Sequence, residues 1–212
     1  MDILQQISAE LERGDDQKVD VLTKEAVAQG LSAKQILDDG LIAGMNVIGE
    51  KFRVHEIFLP DVLLAAKAMY AGLDELKPLL EKEGVKSRGK VVIGTVQGDL
   101  HDIGKNLVGI MLKGAGFEVI DLGNDVSPEQ FLAAARDHSA QVIGMSALLT
   151  TTMPVMKQVV DMLRAEGLDG RIKTMIGGAP VSADYAREIG ADAYAYDGVN
   201  AVEKIRALVE ER

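Results

Sequence analysis

With 212 residues, 47% of them apolar, the chain has material for one large domain or two small ones with buried cores. A formal net charge of −10 argues against nucleic acid as a partner, because neutralising phosphates needs a basic patch. The absence of cysteine excludes disulfides, thiolate sites and zinc ribbons.

The opening residues Met1 to Gln6 lack the basic start and apolar core of a signal peptide. No run approaches the ~20 apolar residues of a membrane span. A cytoplasmic protein with no membrane partner is therefore expected. Residues 2 to about 80 read as helix throughout. Ile3, Leu4, Ile7 and Leu11 form a first stripe stopped by Gly14, and Val19, Leu22 and Ala26 a second stopped by Gly30. Ser32 with Gln35 is a capping box that starts a third helix, whose stripe is Leu37, Leu41, Met45 (or Gly44) and Ile48. A fourth begins near Pro60, with Val62, Ala66, Met69, Leu73, Leu76 and Leu80 at the spacing of a bundle-packing helix. Short connections between four helices suggest a four-helix bundle. The stretch joining the third and fourth carries Phe52, Phe58 and Leu59, apolar residues where a loop is normally polar. They plug the end of the bundle or form a lid over an apolar ligand. His55 in this stretch reads as a surface histidine, and Met45 and Met69 as core filler.

Glu81 to Lys90 is charged, contains Gly84 and Gly89, and reads as a linker. The pattern then changes. Apolar runs Val91–Thr95, Glu118–Leu122, Val142–Ser146, Thr174–Gly177 and Ala193–Tyr196 alternate with helical segments near 103–114, 128–138, 154–166, 183–189 and 199–209. Ser127-Pro128-Glu129-Gln130 is another capping box, and His138 sits at a predicted helix C-terminus without an assigned function. Strict alternation of strand and helix implies a parallel sheet covered on both faces. Five strands suggest the flavodoxin-like order 2-1-3-4-5. The expected organisation is a helical cap over 1–88 and an α/β domain over 89–212.

In that topology ligands bind where the loops after the first and third strands part. The loop after the first strand is Gly98-Asp99-Leu100-His101-Asp102-Ile103-Gly104. It is not a P-loop: five residues separate its glycines, and Asn106 follows Lys105 where Ser or Thr is needed. A dinucleotide-binding glycine pattern is absent as well. His101 is suited to ligate a metal through one ring nitrogen while an aspartate two residues away holds the other. Asp99 and Asp102 equally suit helix caps. The loop after the third strand, Ser146 to Pro154, holds Ser146, Thr150, Thr151 and Thr152, and the loop after the fourth opens with Gly177-Gly178. Helix capping and a tight turn would account for these separately. Their placement on one sheet edge favours a large ligand spanning several loops.

Asp99-Leu100-His101-Asp102-Ile103-Gly104, Ser146-Ala147-Leu148 and Gly177-Gly178 together resemble the three-part signature of cobalamin-binding domains. Forty-one residues separate Gly104 from Ser146 and twenty-eight separate Leu148 from Gly177, which fits that family's spacing. The helical segment with Phe52, Phe58, Leu59 and Pro60 resembles the cap of cobalamin-dependent methionine synthase and of small corrinoid methyl-carrier proteins. The resemblance covers nearly the whole chain. It implies cobalamin as cofactor, as methylcobalamin, cob(I)alamin or a related corrinoid. It implies His101 as lower axial cobalt ligand, with Asp99 bonded to its distal nitrogen and Thr152 completing the relay where methionine synthase has serine. Ser146, Leu148, Thr150, Gly177 and Gly178 would line the pocket for the displaced nucleotide tail. Gly98, Leu100, Asp102, Ile103 and Gly104 would contact the cofactor, and Phe52 and Leu59 would cover its methyl-bearing face.

The implied function is to shuttle a methyl group between a substrate-specific methyltransferase, of methylamine, methanol or methoxyl-aromatic type, and an acceptor methyltransferase, with a reductive activator as a further partner. Such a carrier is not catalytic by itself. A shielded methyl group implies that the cap swings aside on the Glu81–Lys90 tether. Two rivals are a cobalamin-binding subunit of an adenosylcobalamin-dependent mutase, which typically lacks the cap, and a cobalt-free flavodoxin-like binding module.

Overall fold

The computed structural model describes residues 1–210, which fall into two compact units. One is Met1–Lys86 with Gly114–Gly116; the other is Ser87–Lys113 with the residues from Phe117 onward.

The first unit is helical. α1 (Ile3–Glu12) starts at a capping box of Asp2 and Gln5, and α2 (Asp16–Ala28) starts at Asp15. α3 (Ala33–Gln35), a π-helical segment (Ile36–Ile42) and α4 (Ala43–Arg53) run on as one stretch, opened by the expected Ser32–Gln35 capping box. α5 (Leu59–Glu83) follows, with Pro60 in its first turn. Ile7, Leu11, Val19, Ala26, Leu41, Met45, Ile48, Val62, Ala66, Met69 and Leu76 are buried, as their spacing predicts. Leu37 departs from the predicted stripe: it is half-buried, and Ile36 takes the core position instead. The cause is the π segment, where Ala43 N–H reaches back five residues to Asp38 O. Its wider turn places Ile36 and Leu41, five apart, on one face. α5 also runs past the predicted linker start at Glu81 and carries Pro78 within it. It stops at Gly84, whose left-handed backbone (φ 65°) closes the helix.

The second unit alternates strand and helix: β1 (Lys90–Thr95), α6 (Ile103–Gly114), β2 (Glu118–Asp121), α7 (Pro128–Asp137), β3 (Val142–Ser146), α8 (Pro154–Ala165), β4 (Lys173–Gly177), α9 (Ala183–Ile189), β5 (Ala193–Ala195) and α10 (Gly198–Glu210). The strands are all parallel in the expected order β2-β1-β3-β4-β5. β2 and β5 each end one residue sooner than their apolar runs. After β2 the chain turns at once, with the Asp121 carboxylate accepting the Gly123 N–H. Val92, Ile143 and Ile176 from the strands pack with Phe131, Val159 and Leu163 from the helices. Phe131 is fully buried, and truncating such a ring to alanine costs about 3–5 kcal/mol. The register aligns Thr95, Ser146, Gly177 and Ala195 across four strands, so the loops that follow all spring from one level. Among the described residues no helix is long and apolar enough to cross a membrane.

Candidate functional site

The loop after β1 turns at Gly98, whose φ of 83° suits glycine. It then buries Asp99 completely. A buried carboxylate is tolerable only if its oxygens are satisfied, and this one is surrounded by donors. Oδ1 accepts the His101 N–H at 3.0 Å and lies 2.7 Å from His101 Nδ1. Oδ2 accepts the Leu148 and Leu149 N–H groups at 2.7 and 3.1 Å. Thr152 Oγ1 lies 3.0 Å from Oδ2 and 2.9 Å from Leu149 O. Its single proton serves one acceptor at a time, and the charged one is the stronger. Asp99 therefore ties its own loop to the loop after β3 instead of capping α6. Burial pushes its pKa up, but the hydrogen bonds from His101, Leu148 and Leu149 outweigh burial and hold it well below the usual carboxylate range.

An ionised Asp99 at hydrogen-bond distance assigns the proton on His101 to Nδ1, leaving the Nε2 lone pair available. The imidazole is 53% exposed, against full burial of its partner carboxylate. The backbone behind it is held as well: fully buried Thr95 donates its hydroxyl to His101 O at 2.9 Å. Asp102 supplies its carbonyl to Asn106 N–H at 2.7 Å at the start of α6.

The residues singled out in the second unit gather on the carboxyl edge of the sheet. Leu100 and Ile103 flank His101 in sequence and are 68% and 75% exposed, with Leu148 and Leu149 exposed on the neighbouring loop. At Gly104 nothing lies within 4 Å of where a Cβ would stand, so the start of α6 presents open backbone. Ser146 and Gly177 pair in register at the strand ends, both half-buried, and Thr150 is exposed. Gly178 has a φ of 127°, and a Cβ there would stand 1.9 Å from Ala147 O, so only glycine lets the loops after β3 and β4 meet so closely. Phe52 and Leu59 belong to the helical unit, at the end of α4 and the start of α5, and both are half-buried; Phe58 between them is exposed. His55 and His138 are exposed, the latter as the C-cap of α7.

The loop after β2 escaped the sequence reading. Asp125 accepts the Gly98 N–H at 2.8 Å and donates its own N–H to Asp99 O at 3.1 Å. Asp121 pairs with Lys105, whose side chain is almost completely buried on the first turn of α6, at 2.5 and 2.7 Å. Gly123-Asn124-Asp125 signals a turn in sequence, but nothing local indicates which loop it grips.

The donor set fits a macrocyclic metal cofactor. Among the described residues no three His, Asp or Glu side chains converge, so a metal ligated by His101 must bring most of its coordination with it. The exposed leucine and isoleucine side chains around His101 suit the flat apolar face of such a ring.

Two family models, each described as a B12 binding domain, match residues 89–206 and 3–77. The trimethylamine corrinoid protein 1 of Methanosarcina mazei is 44% identical over 197 residues, covering 92% of this chain and 91% of the relative. The dimethylamine corrinoid protein 1 of Methanosarcina acetivorans is 46% identical over 180 residues, 84% of each. Among solved structures, the methanol:cobalamin methyltransferase complex MtaBC of Methanosarcina barkeri matches with a TM-score of 0.89 at 32% identity, over 99% of this chain and 80% of that one. A cobalamin-binding protein of Desulfitobacterium hafniense matches with a TM-score of 0.80 at 32% identity, over 97% and 98% of the two chains.

Proposed function

The chain belongs to the B12 binding domain family, and from that premise we propose that it is a cytoplasmic corrinoid methyl carrier with His101 as its lower axial cobalt ligand. One observation carries the reading: fully buried Asp99, 2.7 Å from His101 Nδ1, presents a half-exposed imidazole by its other nitrogen.

When bound, the corrinoid supplies a cobalt centre that accepts and releases a methyl group. The protein's own groups perform the rest. Asp99 fixes the tautomer and orientation of His101 and leaves Nε2 free to ligate. Thr152 donates to Asp99, so the proton on Nδ1 is set by a three-member chain. Backbone N–H groups of Leu148 and Leu149 keep the carboxylate ionised. We assign Gly98, Leu100, Asp102, Ile103 and Gly104 to contact with the ring. Ser146, Leu148, Thr150, Gly177 and Gly178, on the loops after β3 and β4, are assigned to the nucleotide tail. Phe52 and Leu59 of the helical unit are assigned to the cofactor as shielding side chains.

The relatives are named for trimethylamine and dimethylamine, and the structural neighbour for methanol. A substrate-specific methyltransferase of this kind is the proposed donor partner, with a second methyltransferase taking the methyl group and a reductive activator supplying electrons to cofactor that has become oxidised. The helical cap over 1–88 and the cobalamin-binding part over 89–212 are proposed as separate domains.

The test is the absorption spectrum of the protein reconstituted with hydroxocobalamin, wild type beside His101→Ala. Histidine ligation visible in the wild type and lost in the variant supports the assignment. Identical spectra, or no cobalamin retained by the wild type after desalting, overturn it.

A further inference from the structure

We infer that Asp125 is a positioning residue for the Asp99–His101 pair, an inference that rests on the reading of His101 as the ligand side chain. Asp125 sits between β2 and α7, outside the loops that carry the family resemblance. Its φ of 55° is left-handed, a conformation that non-glycine residues adopt uncommonly and that aspartate tolerates better than most. The conformation lets one residue hold both ends of a dipeptide. The carboxylate takes the Gly98 N–H at 2.8 Å, and the backbone N–H reaches Asp99 O at 3.1 Å. Between those two points lie the φ and ψ of Gly98 and Asp99. Gly98 has no side chain to restrict its own rotation, so the clasp supplies the restriction.

The clasp is itself rooted. Thr95 N–H donates to Gly123 O at 2.9 Å, and Val126 N–H donates to Thr95 O at 3.0 Å, which fixes the loop beside β1. Asp121 holds the Gly123 N–H at 2.9 Å and buried Lys105 at 2.5 Å. Asn124 Nδ2 reaches Leu100 O at 3.4 Å, one residue short of His101. The Asp99 carboxylate must meet donors from the loop after β3 while meeting His101 on its own loop. Hydrogen bonds weaken steeply with misalignment, so a small rotation of the Gly98–Asp99 backbone would loosen both sets.

Two variants separate the hydrogen bond from the backbone strain. Asp125→Gly keeps the left-handed backbone and loses the acceptor; Asp125→Asn keeps both an acceptor oxygen and tolerance of that backbone. Amide hydrogen exchange is followed in the cofactor-free protein at Gly98, Leu148, Leu149 and the β3 core residue Ile143. The Leu148 and Leu149 N–H groups bond the Asp99 carboxylate and so report on where Asp99 sits. In Asp125→Gly their protection is expected to fall about tenfold, and in Asp125→Asn to stay within about threefold of wild type. Ile143 is expected to be unchanged in both. Loss confined to Gly98, equal loss in both variants, or loss that extends to Ile143 would each overturn the inference. His101→Ala with bound hydroxocobalamin is the separate control. If it leaves the spectrum unaltered, the ligand reading fails, whereas the exchange pattern still decides whether Asp125 places Asp99.

Discussion

Replacing Asp99 by asparagine keeps the shape and removes the charge, and its consequences can be worked atom by atom. The carboxylate is approached only by donors: three backbone N–H groups, the Thr152 hydroxyl and His101 Nδ1. An amide must turn its NH₂ toward one side. Toward Leu148 and Leu149 it would face two N–H groups; toward His101 it faces one. The second orientation is the less costly, yet it leaves the His101 N–H without an acceptor at about 1–3 kcal/mol. It also turns the remaining charge-assisted bonds into neutral ones of roughly half the strength. The expected loss is about 3–5 kcal/mol, the unsatisfied donor and the weakened bonds taken together. The amide would donate to Nδ1, which drives the ring proton to Nε2 and removes the ligating lone pair. Corrinoid affinity should therefore fall by about 10–100-fold. Urea unfolding of the cofactor-free protein measures the first effect and a visible-light titration with hydroxocobalamin the second. A stability loss under about 1 kcal/mol would refute the view of Asp99 as a hub for five donors.

Acid tells a related story. The folded pKa of Asp99 is depressed, so its contribution is complete above the unfolded value of about 3.9 and is lost as pH falls through the lower folded value. Melting temperatures of wild type and Asp99→Asn should thus converge as pH drops below about 4; parallel curves would count against it. Thr152→Val should cost about 1.5–3 kcal/mol by removing a donor to a charged acceptor, while Thr152→Ser stays within about 1 kcal/mol, both read from unfolding midpoints. Gly178→Ala places a Cβ 1.9 Å from Ala147 O at a φ of 127° and should cost at least ~3 kcal/mol. Gly104→Ala, with open space at the site, should be neutral or stabilise by up to ~1 kcal/mol. Trypsin is expected to cut first after Lys86 or Arg88, both exposed between α5 and β1; early cleavage inside either unit would contradict that.

The sheet was legible because its strands are apolar runs separated by capped helices, and the parallel order follows from alternation. The three loops could be placed together from topology before any contact was known. Asp99 lies within hydrogen-bond distance of both His101 and Thr152. Leu37 shows where periodicity misleads: a π turn changes the phase, and no local residue announces it. Asp125 shows a different limit. Its role depends on a partner 27 residues away in a neighbouring loop, and pairing between loops has no period to read.

Asp99 bonds to groups 49, 50 and 53 residues along the chain. Contacts of such sequence separation need the long loop between them closed before they can form. Until β3 lies beside β1, the carboxylate has only the His101 groups of its own loop as partners and none of the donors from Leu148, Leu149 or Thr152. His101 would then rest on a carboxylate that the second loop does not yet hold. Competence to take up cofactor thus doubles as proof of completed assembly, and an unfinished chain would be poorly equipped to hold a corrinoid.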